Sequence, residues 1–307
     1  MNVFVTGGTG ALGGHVLPAL VDAGHMVSAL VRTERKAAVV TGQGARPVPV
    51  SIFDRDALSA EFAGHDAVVN LASALPSMSR FMLTSAWREN ERIRTEGSAA
   101  VVDAALASGV PRVVQESVSM IYPDHGSAWI DEDVPADRFP RAEGNLAAEA
   151  GATRFSEAGG TGIVLRFGWF LGSGATHSEQ LFELARRHVA PVLGPPASYV
   201  SSIHLADAAA AVVAALHAPA GTFNIVDDEP LTKRGYAQAL ATAADRAAWL
   251  RGPGRAALLF GDRLTSLTRS LRVSNGRFRS ATGWAPRHPS AREGWLATAA
   301  VLRGGGE

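Results

Sequence analysis

The chain has 307 residues, long enough to bury a sizeable core, and its 29 Lys and Arg residues balance its 29 Asp and Glu residues, so the net charge favours neither nucleic acid nor an anionic membrane surface as a partner. Cysteine is absent, which removes disulfides, thiolate nucleophiles and cysteine-containing metal sites, and which fits a reducing cytoplasm. No apolar run approaches the ~20 residues needed to span a bilayer, so a soluble chain with no membrane partner is expected.

In chain order, the first half alternates short β-rich runs with longer helical segments, the pattern of βαβ units around a parallel sheet. The first strand, NVFVT, runs into TGGTGALGGH, where Gly7, Gly10 and Gly13 give a GxxGxxG spacing and Gly8, Gly10 and Gly13 satisfy GxGxxG. A strand-to-helix turn with these glycines allows a tight bend and close approach of backbone N–H groups to a pyrophosphate. The helix N-terminus adds partial positive charge, so a dinucleotide is expected here. The second strand, MVSALV, leads to Arg32, with Arg35 and Lys36 close behind. An acid at this place holds the ribose hydroxyls of NAD, whereas guanidinium groups grip a 2′-phosphate. Arg32 and Arg35 therefore point to NADP, with NAD the alternative. The third strand, RPVPV, is followed by Asp54, expected either beside the adenine or as the N-cap of the next helix.

The fourth strand, DAVVNLA, ends in NLA at residues 70–72. Met78, Phe81, Met82 and Trp87 follow it, and with Trp169 and Phe170 further on they suggest an apolar or bulky small-molecule substrate. One long helix is read over TSAWRENERIRTEGSAAVVDAALASG, and the fifth strand then leads through RVVQES into VSMIYPDHG. Residues leaving the carboxyl end of a parallel strand face the crevice where ligands bind, which singles out Ser117, Ser119 and Tyr122. Glu116, inside an apolar strand, must be paired or protonated if buried, and reads either as a general acid/base or, in preference, as the partner of an arginine such as Arg112 or Arg166. A helix over LAAEAGATRFSEAGG and a sixth strand, GIVLRF, follow, while Gly24, Gly64, Gly109 and Gly159 stand where helices should stop.

Beyond Arg166 come Gly/Pro-rich loops around a short helix, a strand at YVSSI, a helix over residues 205–217 and a strand at TFNIV. The remainder reads as mostly helical, with a loop at residues 251–254 and a glycine tail at residues 304–306. His204 and Asp207 read as core or capping residues. The histidines show no HExxH or other paired spacing, so no metal is expected, and no GxSxG elbow is present. Residues 1–168 are read as a dinucleotide-binding domain. Residues 169–307 are read as mainly substrate-binding, with returning elements at about 199–227 packing on the first.

These segments together resemble the extended short-chain dehydrogenase/reductases, the NAD(P)-dependent epimerase/dehydratase family. TGGTGALGG, NLA, VVDAALASGV, RVVQESVSMIY, IVLRFGWFLGSGA, SSIHLADAA and GTFNIVDDEPLT occur in that family's order over nearly the whole chain. The resemblance implies an α/β fold with a doubly wound Rossmann-type parallel sheet of about seven strands and a smaller C-terminal substrate domain with a cleft between. It also implies a homodimer through the long helices that follow the fourth and fifth strands. Implied cofactor contacts come from Gly7, Gly10, Ala11, Leu12 and Gly13 in the loop and from Leu71 and Ala72 at the strand end.

In that family a Ser/Thr polarises the substrate oxygen, and a YxxxK pair on the helix before the sixth strand moves the proton. The corresponding segment here, RAEGNLAAE, puts Arg141 at the tyrosine position and Asn145 at the lysine position. The chain's two lysines, Lys36 and Lys233, follow Arg32 and Glu229 at that spacing, so YxxxK occurs nowhere. The serine position holds Val118, flanked by Ser117 and Ser119. The chain thus resembles atypical members, with Tyr122 as the candidate replacement acid, assisted by Arg141, the oxidised nicotinamide or a water chain. The expected activity is an NAD(P)-dependent oxidation or reduction at a carbonyl or hydroxyl group. A non-catalytic redox sensor and a non-redox isomerase or lyase on the same fold are the rivals.

Overall fold

In the computed structural model of the chain, which describes residues 1–247 and 252–304, the β-rich runs of the first half form β1 (Asn2–Thr6), β2 (Met26–Leu30), β3 (Arg46–Val48), β4 (Ala67–Asn70) and β5 (Arg112–Val118). Two later strands join them in one seven-stranded sheet, ordered Gly221–Ile225, Thr161–Phe167, β5, β4, β1, β2, β3. β1 pairs in parallel with β2 and with β4, β2 with β3, and β4 with β5. Near-continuous burial along β1 and β4 is what helices on both faces of a parallel sheet demand. This is the doubly wound α/β arrangement of the Rossmann type. The strand order reverses between β1 and β4, and the carboxyl ends at such a switch point open the ligand crevice of these sheets.

The helices are α1 (Gly13–Asp22), α2 (Glu34–Gly42), α3 (Arg55–Phe62) and, further on, segments around Ser98–Ser108 and Glu143–Glu157. Leu58 and Phe62 of α3 pack with Val101, Val102 and Ala105 against Phe4 and Val68 of the sheet. Pro18 lies inside α1 and has no N–H to give the Gly14 carbonyl. The side-chain amide of Gln43, just past α2, donates to that carbonyl instead, at 3.1 Å. The expected helix stops at Gly24, Gly64, Gly109 and Gly159 all have positive φ.

Two elements differ from their sequence reading. The expected long helix before β5 is a 3₁₀ turn at Thr84–Trp87, a short α-segment at Arg88–Arg92, a π turn at Ile93–Gly97 and a helix at Ser98–Ser108. The widened π turn carries Arg94, which is 2% exposed. YVSSI splits in two: Tyr199–Val200 pairs antiparallel with Leu231–Thr232, and Ser202–His204 pairs parallel with Trp169–Leu171.

The chain divides into two compact units. The first comprises Met1–Ser117, Ala142–Arg166 and Ala209–Phe223, and contains most of the sheet. The second takes Val118–Arg141, Phe167–Ala208 and the residues from Asn224 on, around a core that includes Leu171, Phe182, Leu240 and Trp295. Val118–Arg141 thus groups with the second unit, where the sequence placed it in the first, and of the returning stretch Ala209–Phe223 belongs to the first. Arg251 and the tail glycines after Gly304 lie outside the described residues. Among those described, no helix is long and apolar enough to cross a membrane.

Candidate functional site

The glycine loop is built so that backbone touches backbone. Gly7 has φ +71°, and a Cβ there would lie 2.4 Å from the Leu71 carbonyl oxygen. At Gly13 a Cβ would lie 2.2 Å from the Gly7 oxygen, so the first turn of α1 rests directly on the loop. The Gly10 N–H donates to the Gly7 carbonyl at 2.9 Å, and the Gly14 N–H to the Gly10 carbonyl at 2.8 Å. Gly10 and Ala11 are exposed, Leu12 is buried beneath them, and at the end of β4 Leu71 is buried and Ala72 half-buried. A glycine cradle whose rim is open and whose floor admits no side chain fits a dinucleotide pyrophosphate at the helix N-terminus.

Arg32 and Arg35 are exposed after β2, with no hydrogen bond or ion pair among the described residues. Between them Thr33 caps α2, its hydroxyl accepting from the Lys36 N–H at 3.3 Å. Asp54 caps α3, its Oδ1 accepting from the Ala57 N–H at 3.0 Å.

Behind the loop, the strand ends carry a buried polar network. The Thr6 hydroxyl donates to Asn70 Oδ1, while Asn70 Nδ2 donates to Ser98 Oγ at 3.1 Å and to Gln115 Oε1 at 2.8 Å. Gln115 Nε2 in turn donates to the Glu116 carbonyl at 2.8 Å. Arg94 Nη2 reaches both carboxylate oxygens of Glu116 at 2.8 Å, and its Nη1 donates to the Glu116 carbonyl at 2.7 Å. Desolvation pushes the Glu116 carboxyl above its usual range, and Arg94 pulls it back. The partner of Glu116 is therefore Arg94, which the sequence reading missed. Arg112 donates instead to the Ala218 carbonyl at 2.6 Å, and Arg166 holds Glu149 through Nε at 2.9 Å and Nη2 at 2.6 Å. Ser117 belongs to this second pair, its hydroxyl donating to Glu149 Oε1 at 2.6 Å.

Past Ser117 the chain makes a short 3₁₀ turn at Ser119–Ile121. Ser119 is buried, and its hydroxyl has no hydrogen-bond partner among the described residues. Tyr122 is 0% exposed: its hydroxyl donates to Asn224 Oδ1 at 2.9 Å, and it clusters with Ile130, Val226, Leu271 and Val273. Service as a proton donor would require Tyr122 to give up that bond and that packing. Arg141 is half-buried, with Nη1 donating to the Arg263 carbonyl; burial, and secondly the nearby Arg263 charge, lower its pKa from the usual guanidinium value. A guanidinium in that position is a fixed cation rather than an acid. Asn145 is buried on the helix Glu143–Glu157. Of the aromatic residues after β4, Phe81 and Trp87 meet edge to face at 5.0 Å, with Trp87 Nε1 donating to the Phe81 carbonyl, and Met78 is exposed.

With the switch-point crevice and glycine cradle in place, likeness to known proteins decides the family. The model of the NAD dependent epimerase/dehydratase family matches residues 3–225. The chain belongs to that family. This epimerase/dehydratase family member is 34% identical, over 310 aligned residues covering 96% of the chain and 99% of the relative, to 3-diazoavenalumate denitrifying reductase of Streptomyces sp.. It superposes on a UDP-glucose 4-epimerase from Thermotoga maritima with a TM-score of 0.82 at 20% identity, covering 100% of both chains. A dTDP-glucose 4,6-dehydratase from Streptomyces venezuelae, solved with NAD, gives 0.81 at 21% identity over 99% of this chain and 97% of that one. At those identities the solved structures share the fold.

Proposed function

We propose that this family member is an NAD(P)H-dependent reductase whose hydride acceptor is electrophilic enough to need no protein acid, with a diazo-bearing small molecule as substrate. The observation that carries the proposal is the near-full-length likeness to a denitrifying reductase. The residues agree with it. A carbonyl accepting hydride needs a proton on oxygen, the task of the YxxxK tyrosine, whereas this chain has Arg141 and Asn145 in that motif and a sealed Tyr122. A diazonium group accepts hydride without prior protonation.

A nicotinamide cofactor, when bound, would supply the hydride. Addition at the terminal nitrogen of the substrate gives a diazene, whose N–H proton is then lost. Dinitrogen leaves, the carbon keeps the bonding pair, and that carbon takes a proton from water. The glycine cradle would hold the cofactor pyrophosphate, with Ala11 and Leu12 in the loop and Leu71 and Ala72 at the end of β4 as its candidate contacts. Arg32 and Arg35, exposed at the end of β2, favour NADPH by holding a 2′-phosphate. Ser119, buried and with no hydrogen-bond partner for its hydroxyl among the described residues, is the uncommitted serine of the two, since Ser117 is bonded to Glu149.

The test mixes purified protein with an aryl diazonium carboxylate and NADPH or NADH, following reduced-nicotinamide absorbance and dinitrogen by mass spectrometry. One dinitrogen per cofactor oxidised is expected. Cofactor oxidation with ketones but not with diazo compounds would make the protein a carbonyl reductase, and tight nucleotide binding without turnover would make it a sensor. Arg32→Ala should weaken NADPH binding by about tenfold or more while leaving NADH unchanged, because a charge-assisted phosphate contact contributes roughly 1.5–3 kcal/mol.

A further inference from the structure

Two histidines and an aspartate of the second unit converge although they are far apart in sequence. His204 ends the strand Ser202–His204, Asp207 lies in the first turn of the helix Leu205–Ala215, and His288 sits in the loop before the final helix, 81 residues beyond Asp207. One donor atom from each lies within 4.8 Å of the others. The His204 and His288 rings face each other with centroids 4.2 Å apart and planes tilted by 37°. The sequence expectation of no metal rested on local paired spacings, which cannot see this convergence.

We infer that His204, His288 and Asp207 form a binding site for a divalent transition-metal ion of the zinc type. The loop is built for the purpose. Asp207, 1% exposed, accepts the backbone N–H of Arg287 on Oδ1 at 2.9 Å and that of His288 on Oδ2 at 3.0 Å. The same Oδ2 lies 2.7 Å from His288 Nδ1, and in the tautomer that donates from Nδ1 to this carboxylate Nε2 is the ligand atom. Oδ2 thus braces the imidazole, as carboxylates do for metal-binding histidines, and Oδ1, which accepts one N–H, keeps a second lone pair for the ion. From the other side the Pro289 carbonyl accepts the N–H groups of Asp228 and Glu229 at 3.0 and 2.9 Å, which fixes the loop independently of any ion.

Imidazole nitrogens about 2.1 Å from a tetrahedral zinc lie about 3.4 Å from each other, and with one donor atom of each residue within 4.8 Å of the others the set is brought to that spacing by side-chain rotation. His204 Nδ1 accepts from the Ala206 N–H at 3.2 Å, a bond that a metal on that nitrogen would replace. Both rings are half-buried, so water can complete the coordination. Imidazole nitrogen with a single carboxylate suits zinc, nickel or copper better than magnesium or calcium. This inference is independent of the reaction proposed above.

The test uses full-length protein stripped of metal by chelator dialysis. It is titrated with Zn²⁺ against a chromogenic chelator, and with Co²⁺ followed by its visible bands. One tight equivalent is expected, weakened about 10- to 100-fold in His204→Asn and in His288→Asn. The variant His217→Asn, at an exposed histidine past the helix Leu205–Ala215, should bind like the parent. Absence of a stoichiometric equivalent overturns the site, as does equal weakening in all three variants, which marks scattered surface histidines. Should the His204 and His288 variants fold poorly, imidazole ¹⁵N shifts of the parent protein decide: Zn²⁺ must move the signals of both rings, and unmoved signals refute the proposal.

Discussion

At the strand ends of the first unit, Glu116 is met by Arg94 and Glu149 by Arg166, each carboxylate with a guanidinium within 2.9 Å. In the second unit, buried Asp227 takes the Ser202 hydroxyl at 2.6 Å, and Lys233 gives its ammonium to the Leu267 carbonyl at 2.8 Å. The physical outcomes differ accordingly. Desolvation, and then neighbouring acids such as Asp228 and Glu229, drive the Asp227 carboxyl well above its usual range against the Ser202 bond, while desolvation lowers Lys233 to about 8. At Glu116 a guanidinium opposes the desolvation of the carboxylate. At Asp227 and Lys233 the hydrogen-bond partners are a hydroxyl and a carbonyl, and desolvation dominates.

The largest test of that contrast breaks a pair. Arg94→Met should cost about 3–5 kcal/mol in urea unfolding, because it strands Glu116 as a buried uncompensated charge, and adding Glu116→Leu should restore most of the loss. A single-variant loss below about 1 kcal/mol would mean that Glu116 is protonated and the pairing is nominal.

Lys233 sharpens the other side. Its folded pKa lies below the unfolded value of about 10.4, so below pH 8 the folded state carries the full penalty of a charged buried amine, roughly 3 kcal/mol. Between about 8 and 10.4 the unfolded chain binds more protons, and stability rises with pH. Lys233→Met should therefore stabilise at pH 7 by about 2 kcal/mol after losing the Leu267 hydrogen bond, with the gain vanishing near pH 10. A gain independent of pH would show that packing rather than charge is responsible.

Smaller effects follow. Tyr122→Phe should cost about 1 kcal/mol for the Asn224 bond and leave turnover nearly intact, whereas a fall of about a hundredfold or more would make Tyr122 the acid after all. Asp54→Ala should cost about 1 kcal/mol of stability as a lost cap, and an added loss of nucleotide affinity would give Asp54 the adenine contact as well.

What could be read from the sequence was what is local. The glycine loop, the β-rich runs and the helix stops are short-range patterns, and they lie where periodicity and backbone sterics put them. Partners set by folding were hidden. Glu116 announced itself as a carboxylate in an apolar strand, but Arg94 sits on a segment that reads as plain helix, and only its π turn directs the guanidinium inward. Tyr122 looked exposed to chemistry because it follows a strand end, yet Asn224, 102 residues away, claims its hydroxyl. Residue types named the candidates; distances between remote segments decided their roles.

The proline inside α1 carries a different kind of consequence. Because Pro18 deprives the Gly14 carbonyl of its helical donor and the Gln43 amide replaces it, the two positions share one requirement. Among related sequences, residues 18 and 43 should covary: where 18 is not proline, the helix supplies its own N–H, and 43 is released to drift.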